Sequence, residues 1–168
     1  ATLEKYSADA LRWYLFTSST AGNVRRFSEA GLAESLRKFL LTLWNTYSFF
    51  VTYANIDHFD PTSTPTPQPK SELDRWVLSS LNQLIVNVER DMENYDPTGA
   101  GRRIETFVES LSNWYVRRSR RRFWKSENDA DKLSAHHTLH HCLVTLSKLL
   151  APFVPFMAEE MYQNLVVS

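Results

Sequence analysis

The stretch EAGLAESLRKFLLTLWNTYSFFVTYA, residues 29–54, carries the hydrophobic pattern that decides the fold. Its apolar side chains recur at three- and four-residue spacing, as on one face of an α-helix. They are Leu32, Leu36, Phe39, Leu40, Leu43, Tyr47, Phe50, Val51 and Ala54. Ser28 precedes them and is a suitable N-cap. The pattern predicts a long helix with one buried face.

The same periodicity extends toward both ends of the chain. Ser7 can cap a helix over residues 8–17, and Ser71 with Asp74 resembles a capping box that starts a helix ending near residue 95. Asp96 as N-cap and Pro97 at the first position start the next helix. The predicted inward positions of these last two helices are Leu73, Val77, Leu81, Leu84, Val88 and Met92, then Ile104, Phe107, Val108, Leu111 and Tyr115.

Helices over residues 130–150 and 155–165 complete the prediction, and nothing alternates in the manner of a β-strand. The expected fold class is all-α, an antiparallel bundle of about five or six helices in a single domain spanning residues 1–168. The segment DPTSTPTPQP, residues 60–69, cannot continue a helix because its prolines lack amide donors. We expect an exposed proline-rich loop at residues 57–70.

Composition limits the class of protein. The chain has 168 residues, of which 43% are hydrophobic, and its formal net charge is zero. Its one cysteine, Cys142, excludes an internal disulfide, and no apolar run reaches the roughly 20 residues that span a bilayer. We expect a cytoplasmic domain without membrane contact. The start at Ala1, without Met, suggests a piece of a longer chain.

The run LSNWYVRRSRRRFW, residues 111–124, interleaves five arginines with aromatic residues. Guanidinium groups bind phosphate through paired hydrogen bonds, and aromatic rings stack on unpaired bases, so the run indicates RNA contact. A solvated helix end with paired arginines is the alternative. On a continuing helix Arg117, Arg120, Arg121 and Trp124 share the face away from the apolar stripe. Arg118 and Arg122 continue that stripe and are candidates for internal ion pairs.

A second candidate face lies on the helix of residues 29–54. Its polar side consists of Ser35, Lys38, Thr42, Asn45, Phe49 and Thr52. A phenylalanine there is either a packing contact with another helix or an exposed ring on which a base stacks. The Asn45 amide can read a base edge through a paired donor and acceptor, or can simply be solvated.

Four histidines, at 136, 137, 140 and 141, lie one helical turn apart in two pairs. Such pairs can chelate zinc, but no carboxylate has matching spacing and the four rings point in different directions. We expect ordinary, partly exposed histidines and no metal site. No nucleophile with an orienting partner and no glycine-rich phosphate loop is present, so no catalytic residue is assigned.

Five blocks carry a resemblance to a known family. They are YSADALRW (6–13), LWNTYSFF (43–50), LDRWVLS (73–79), the arginine run, and LAPFVPFMAEE (150–160). Together they resemble the helical anticodon-binding domain of isoleucyl-tRNA synthetases, class I enzymes, in the branch similar to the eukaryotic form. The first block recurs in valyl-tRNA synthetases, whereas the arginine run is more specific. Glycine is commoner at the position of Ser7, a departure expected to affect only a helix start.

The resemblance implies a parent isoleucine-tRNA ligase that uses ATP and magnesium, but its His-Ile-Gly-His and Lys-Met-Ser-Lys-Ser motifs are absent here. This chain is therefore expected to be inactive, to need no cofactor, and to bind the anticodon stem-loop of isoleucine tRNA beside the parent's catalytic domain. The resemblance favours Asn45 and Phe49, and less strongly Lys38, as RNA contacts. The arginine run could touch tRNA or dock on the catalytic domain. A valyl-type domain, a protein-docking helical scaffold and a metal-dependent enzyme on the histidine helix are the alternatives.

Overall fold

The computed structural model describes residues 5–20, 22–24, 26–62, 69, 71–125 and 130–167. Within them, six helices follow residue 7. Helix α1 is Ala8–Thr17, and α2 runs through Glu29–Ser35, Leu36–Leu40 and Leu41–Ile56; α3 is Glu72–Glu93. Helix α4 runs through Pro97–Ser110, Leu111–Val116 and Arg117–Trp124, α5 is Ala130–Leu150, and α6 is Pro155–Tyr162 followed by Gln163–Val167. No strand occurs among the described residues, which confirms the all-α prediction.

The helix starts follow the predicted caps. The Oγ atom of Ser28 accepts a hydrogen bond from the amide of Gly31 at 3.1 Å, and that of Ser71 accepts one from Leu73 at 3.2 Å. The Asp96 carboxylate accepts one from the amide of Gly99 at 2.9 Å, with Pro97 at the first helical position. These bonds satisfy amides that have no partner within the helix.

The predicted core stripes are largely buried. In α4 all five predicted inward residues are buried, and α2 contributes Leu32, Phe39, Leu40, Leu43, Tyr47 and Phe50. Trp13 of α1 stacks on Phe39 with ring centroids 3.7 Å apart, which joins the first two helices. Met92 is an exception, since its side chain is 37% exposed at the end of α3 rather than inward.

Helix α1 also holds the turn between α5 and α6. The Arg12 guanidinium donates to the carbonyl oxygens of Pro152 and Phe153 at 2.8 and 3.1 Å. The buried Asp9 carboxylate accepts from the amide of Met157 at 2.8 Å. A carboxylate at this place favours the start of α6, because the amides there point outward and carry partial positive charge.

Three helical segments depart from the regular α-helix that periodicity predicts. Leu36–Leu40, Leu111–Val116 and Gln163–Val167 are π-helical. A π turn holds one more residue than an α turn, so it rotates the following side chains around the helix relative to the preceding ones. Positions after residue 40 on α2 and after residue 116 on α4 are therefore shifted from a simple 3.6-residue projection.

The loop expected at residues 57–70 begins less exposed than predicted. Asp57 and Phe59 are half-buried, and the Phe59 ring stacks on His136 with centroids 5.1 Å apart. Aromatic burial against α5 outweighs the polar composition of this stretch. Residues 63–68 and 70, the centre of the predicted loop, lie outside the described residues.

Candidate nucleic-acid interface

The last segment of α4, Arg117–Trp124, presents the predicted cationic face to solvent. Arg117, Arg120 and Arg121 are exposed, and the Trp124 side chain is 57% exposed. Among the described residues, none of the three arginines forms an ion pair. Exposed guanidinium groups are of the kind that bind phosphate, and the same segment carries the largely exposed ring of Trp124.

Arg122 faces the opposite way, as the apolar stripe predicted. Its guanidinium donates to both oxygens of Asp74 at 2.6 and 2.8 Å, and an ion pair of 2.9 Å joins it to Asp131. Asp74 is fully buried and accepts further bonds from the hydroxyls of Tyr115 at 2.7 Å and Ser134 at 3.0 Å. This network ties α3, α4 and α5 together, and it replaces the capping-box role expected for Asp74.

The electrostatics of this network follow from those contacts. Burial disfavours the charged form of Asp74, but the bonds from Arg122 and Tyr115 outweigh burial and hold the pKa of the carboxyl below its ordinary value. Burial likewise opposes the charge on Arg122, and the bond to Asp74 reverses that effect and raises the pKa of the guanidinium. Both groups are thus charged, and the arginine segment is anchored from its inner side.

Arg118 is exposed, so the internal ion pair considered for it is wrong. Its guanidinium lies over the Trp114 ring, 5.4 Å from the centroid, and the Trp114 side chain is 55% exposed. Arg118 therefore belongs to the exposed side of the segment, whereas Arg122, one turn later, faces the interior. Trp114 was not predicted as a site residue; its place in the arginine run, three residues before Arg117, was the signal in the sequence.

Phe49 on α2 is half-buried rather than opposite the core. Its ring makes an edge contact with Phe123 of α4, with centroids 5.2 Å apart, and a tilted contact with Tyr53 at 4.8 Å. Of the two alternatives for Phe49, a packing contact with another helix is the one that the structure shows. The contact brings α2 against the arginine segment. Asn45 and Lys38, one and three turns earlier on α2, are both exposed.

The histidines of α5 are more buried than expected. His136 is 1% exposed, and its Nε2 atom lies 2.8 Å from the Oδ2 atom of Asp57; the Oδ1 atom of Asp57 accepts a bond from Lys132. The His140 Nε2 atom lies 2.9 Å from the carbonyl oxygen of Leu165, and His137 packs against Phe59. Burial lowers the pKa of all three imidazoles. The prediction of partial exposure was wrong for His136 and His137, which are buried, and right for His140, which is half-buried; His141 is exposed.

No group of three or more histidine, cysteine, aspartate or glutamate side chains in the described ranges could hold a metal ion. No described helix is both long and apolar enough to cross a membrane.

Comparison with known proteins defines the class. Residues 74–168, more than half of the chain, match the family model described as the anticodon-binding domain of tRNA ligase. The chain belongs to this family. The match includes the arginine segment, the buried Asp74 network and the histidine helix.

Individual relatives narrow the class. The chain is 67% identical over 167 residues to the isoleucine-tRNA ligase of Dehalococcoides mccartyi (strain CBDB1), and 48% identical over 167 residues to that of Thermus thermophilus. Each alignment covers 99% of this chain and 16% of the relative, so the chain spans about a sixth of their length. The resemblance to isoleucyl-tRNA synthetases is thus confirmed, and the valyl alternative is not favoured. The assignment to the eukaryotic-like branch stays a prediction.

A solved structure shares the fold. It is the LeuRS of Agrobacterium radiobacter K84 in a ternary complex with tRNA and LeuAMS, with a TM-score of 0.67 and 19% identity. The similarity covers 98% of this chain and 19% of that one. At this identity the likeness supports the helical architecture alone.

Proposed function

We propose that this chain is one helical domain of a longer isoleucine-tRNA ligase and binds the anticodon arm of isoleucine tRNA. The observation that carries the proposal is the exposed face of Arg117, Arg120, Arg121 and Trp124 in a member of the anticodon-binding family. Three guanidinium groups without an ion pair among the described residues suit a phosphate backbone, and the ring beside them suits an unpaired base. Identity to isoleucine-tRNA ligases supports the choice of tRNA.

The parent enzyme supplies the chemistry in this proposal. A tRNA ligase of this kind uses ATP and magnesium in its catalytic part, whose two signature motifs are missing from this sequence. The chain's own task is to hold the tRNA arm beside the catalytic domain, in the cytoplasm.

The three candidate residues of α2 have different roles in this proposal: Asn45 and Lys38 contact RNA, and Phe49 supports the surface. Asn45 and Lys38 are exposed on α2, and their polar groups can reach RNA that lies across α2 and the arginine segment. Phe49 acts indirectly in this proposal, because its edge contact with Phe123 holds α2 against α4 and so positions the exposed side chains of both helices. Arg118 and Trp114 extend the cationic and aromatic surface by one turn of α4.

A binding titration with the anticodon stem-loop of isoleucine tRNA tests the proposal. The triple variant Arg117→Ala, Arg120→Ala, Arg121→Ala should lose at least about tenfold in affinity at low salt, since each phosphate contact contributes to binding. The matched control replaces Lys5, Arg26 and Lys148 by alanine, which removes the same charge from exposed positions outside the site. Equal affinity of both triple variants would instead assign the arginine face to a protein contact, such as the catalytic domain.

A further inference from the structure

A buried lysine holds the end of the arginine segment from the inside and is not used by the proposed RNA contacts. Only 3% of the Lys132 side chain, on α5, is exposed. Its ammonium group donates to the Oδ1 atom of Asp57 at 2.5 Å and to the carbonyl oxygen of Lys125 at 2.7 Å. Asp57 directly follows α2, and Lys125 directly follows α4. One cation of α5 therefore joins the ends of two other helices.

The position of Lys132 is unfavourable for α5 itself. Burial of an ammonium group costs free energy unless the group is paired. Lys132 also lies in the first turn of α5, where the free amides already give the helix end a partial positive charge. A cation is favourable at the carboxyl end of a helix, and Lys132 reaches that end of both α2 and α4. Its contacts thus stabilise the ends of α2 and α4 rather than the start of α5.

His136 and a ring contact complete this joint between three helices. His136 lies one turn after Lys132 on α5, and its Nε2 atom is 2.8 Å from the Oδ2 atom of Asp57. The Asp57 carboxylate is thus bound through both oxygens. Phe123 of α4 makes edge contacts with His136 at 4.9 Å and with Phe49 of α2 at 5.2 Å between ring centroids. Side chains of α5 therefore determine how close α2 and α4 lie at this end of the bundle.

The joint lies next to side chains that the proposed function assigns to RNA. The carbonyl oxygen held by Lys132 belongs to the residue after Trp124, and Arg121 lies one turn before that residue on α4. Binding groups work best when they are held within about 0.5 Å of the productive geometry. A shift of this helix end therefore changes the RNA contacts of Arg121 and Trp124, although the joint itself is buried.

We infer that Lys132 and Asp57 are positioning residues for RNA binding, an inference that rests on the proposed function. Their ion pair fixes the spacing of α2 and α4, and so places Arg121 and Trp124 against the RNA. A purely structural role would differ in its effect: loss of the pair would lower the free energy of unfolding and leave the affinity of the folded chain for RNA unchanged.

The test variant replaces both partners, Lys132→Met together with Asp57→Asn. Removing one partner leaves a buried charge and is strongly destabilising, whereas neutral side chains of similar volume at both places are often tolerated. In a titration well below the melting temperature, this double variant should bind the anticodon stem-loop about 3- to 30-fold more weakly than the parent, an effect within the range of couplings in one network. Lys132→Arg, which keeps a cation and its donors, should retain most of the affinity.

Two controls distinguish positioning from stability. Asp9→Asn alters another buried carboxylate, which joins α1 to the start of α6, and should lower the melting temperature without changing the affinity. The double variant is also combined with the arginine triple variant and with the control triple variant of Lys5, Arg26 and Lys148. Its effect on affinity should largely disappear without the three arginines and persist in the control, because the contacts that it misplaces are already missing only in the first.

The outcomes separate this inference from the proposed function. If the arginine triple variant weakens stem-loop binding and the double variant does not, the positioning role is overturned and the function stands. Equal weakening by the double variant with and without the three arginines also overturns it, since loss of folded chain acts alike in both. Failure of the parent chain to bind the stem-loop overturns both proposals. Weakening that requires the three arginines supports the positioning role.

Discussion

Ser7 shows at the residue scale how one backbone angle explains a sequence departure. Its φ of 72° and ψ of 160° lie in a region that is essentially restricted to glycine. The side chain compensates in part, since its Oγ accepts from the amide of Ala10 at 3.3 Å. The family resemblance makes glycine the commoner residue at position 7, and glycine adopts this conformation without strain. Serine in its place therefore strains the start of α1.

We predict that Ser7→Gly raises the free energy of unfolding by about 1 kcal/mol, because relief of a strain of about 1 to 3 kcal/mol exceeds the few tenths lost with the cap. Thermal unfolding measures this. Ser28→Gly is the matched control: Ser28 caps α2 from an extended conformation, with φ of −130°, so that change should destabilise slightly. A lower melting temperature for Ser7→Gly than for the parent would contradict the strain argument.

Phe49 was considered on sequence grounds either as a packing contact or as an exposed ring for a base, and its contacts with Phe123 and Tyr53 make it a packing residue. Truncating a fully buried phenylalanine costs about 3 to 5 kcal/mol, so Phe49→Ala at a half-buried position should cost about 2 kcal/mol. Asn45→Ala, one turn away and exposed, should leave the melting temperature nearly unchanged. Chemical denaturation of both variants measures the difference. Equal stability of the two would show that the contact with Phe123 contributes nothing.

At the scale of helices, the buried pair of Asp74 and Arg122 anchors the arginine segment. Asp74→Ala should cost about 3 to 5 kcal/mol, because it leaves a buried guanidinium without its partner. Glu29→Ala breaks an exposed pair with Lys5 and should change stability little. Urea denaturation compares them. A small effect of Asp74→Ala would mean that water or Asp131 replaces the lost carboxylate and that α4 has no such anchor.

The histidines of α5 make a prediction about acid stability. Burial lowers the pKa values of His136, His137 and His140 in the folded chain, so the unfolded chain binds more protons below its ordinary histidine pKa of about 6.5. Stability should therefore fall as the pH drops from about 7 toward about 5. His140→Gln keeps an amide near the Leu165 carbonyl but cannot titrate, and should reduce that fall. His141→Gln, at an exposed position, should leave the fall unchanged. Equal pH profiles for the parent and the two variants would contradict the burial of His140.

Some features of these helices could be predicted from the sequence and others could not. Caps and apolar stripes were predictable because they depend on local spacing, as at Ser28 and along α4. The π turns were not, since no residue type marks them and packing between helices selects them. The half-burial of Phe49 depends on its contact with Phe123 of another helix, which local spacing does not show. Asp74 looked like a capping residue because its partner Arg122 lies 48 positions away.

At the scale of the whole molecule, the charge distribution is the central feature. The chain is formally neutral, yet six of the nine residues from 117 to 125 are cationic. Four of them are exposed without an ion pair among the described residues: Arg117, Arg118, Arg120 and Arg121. A neutral body with one cationic face binds RNA in a defined orientation, whereas uniform positive charge would bind it everywhere. The inner anchor of Arg122 holds that face in place.

The salt dependence of tRNA binding tests this account most directly. For a protein that releases counterions from phosphates, the logarithm of affinity falls linearly with the logarithm of salt concentration, by a slope of about 0.7 to 0.9 per contact. Replacing Arg117, Arg120 and Arg121 by alanine should reduce the slope for isoleucine tRNA by about 2 to 3, and the control triple variant of Lys5, Arg26 and Lys148 should keep the parent slope. Equal slopes for the parent and the arginine variant would contradict the claim that this face binds the RNA backbone.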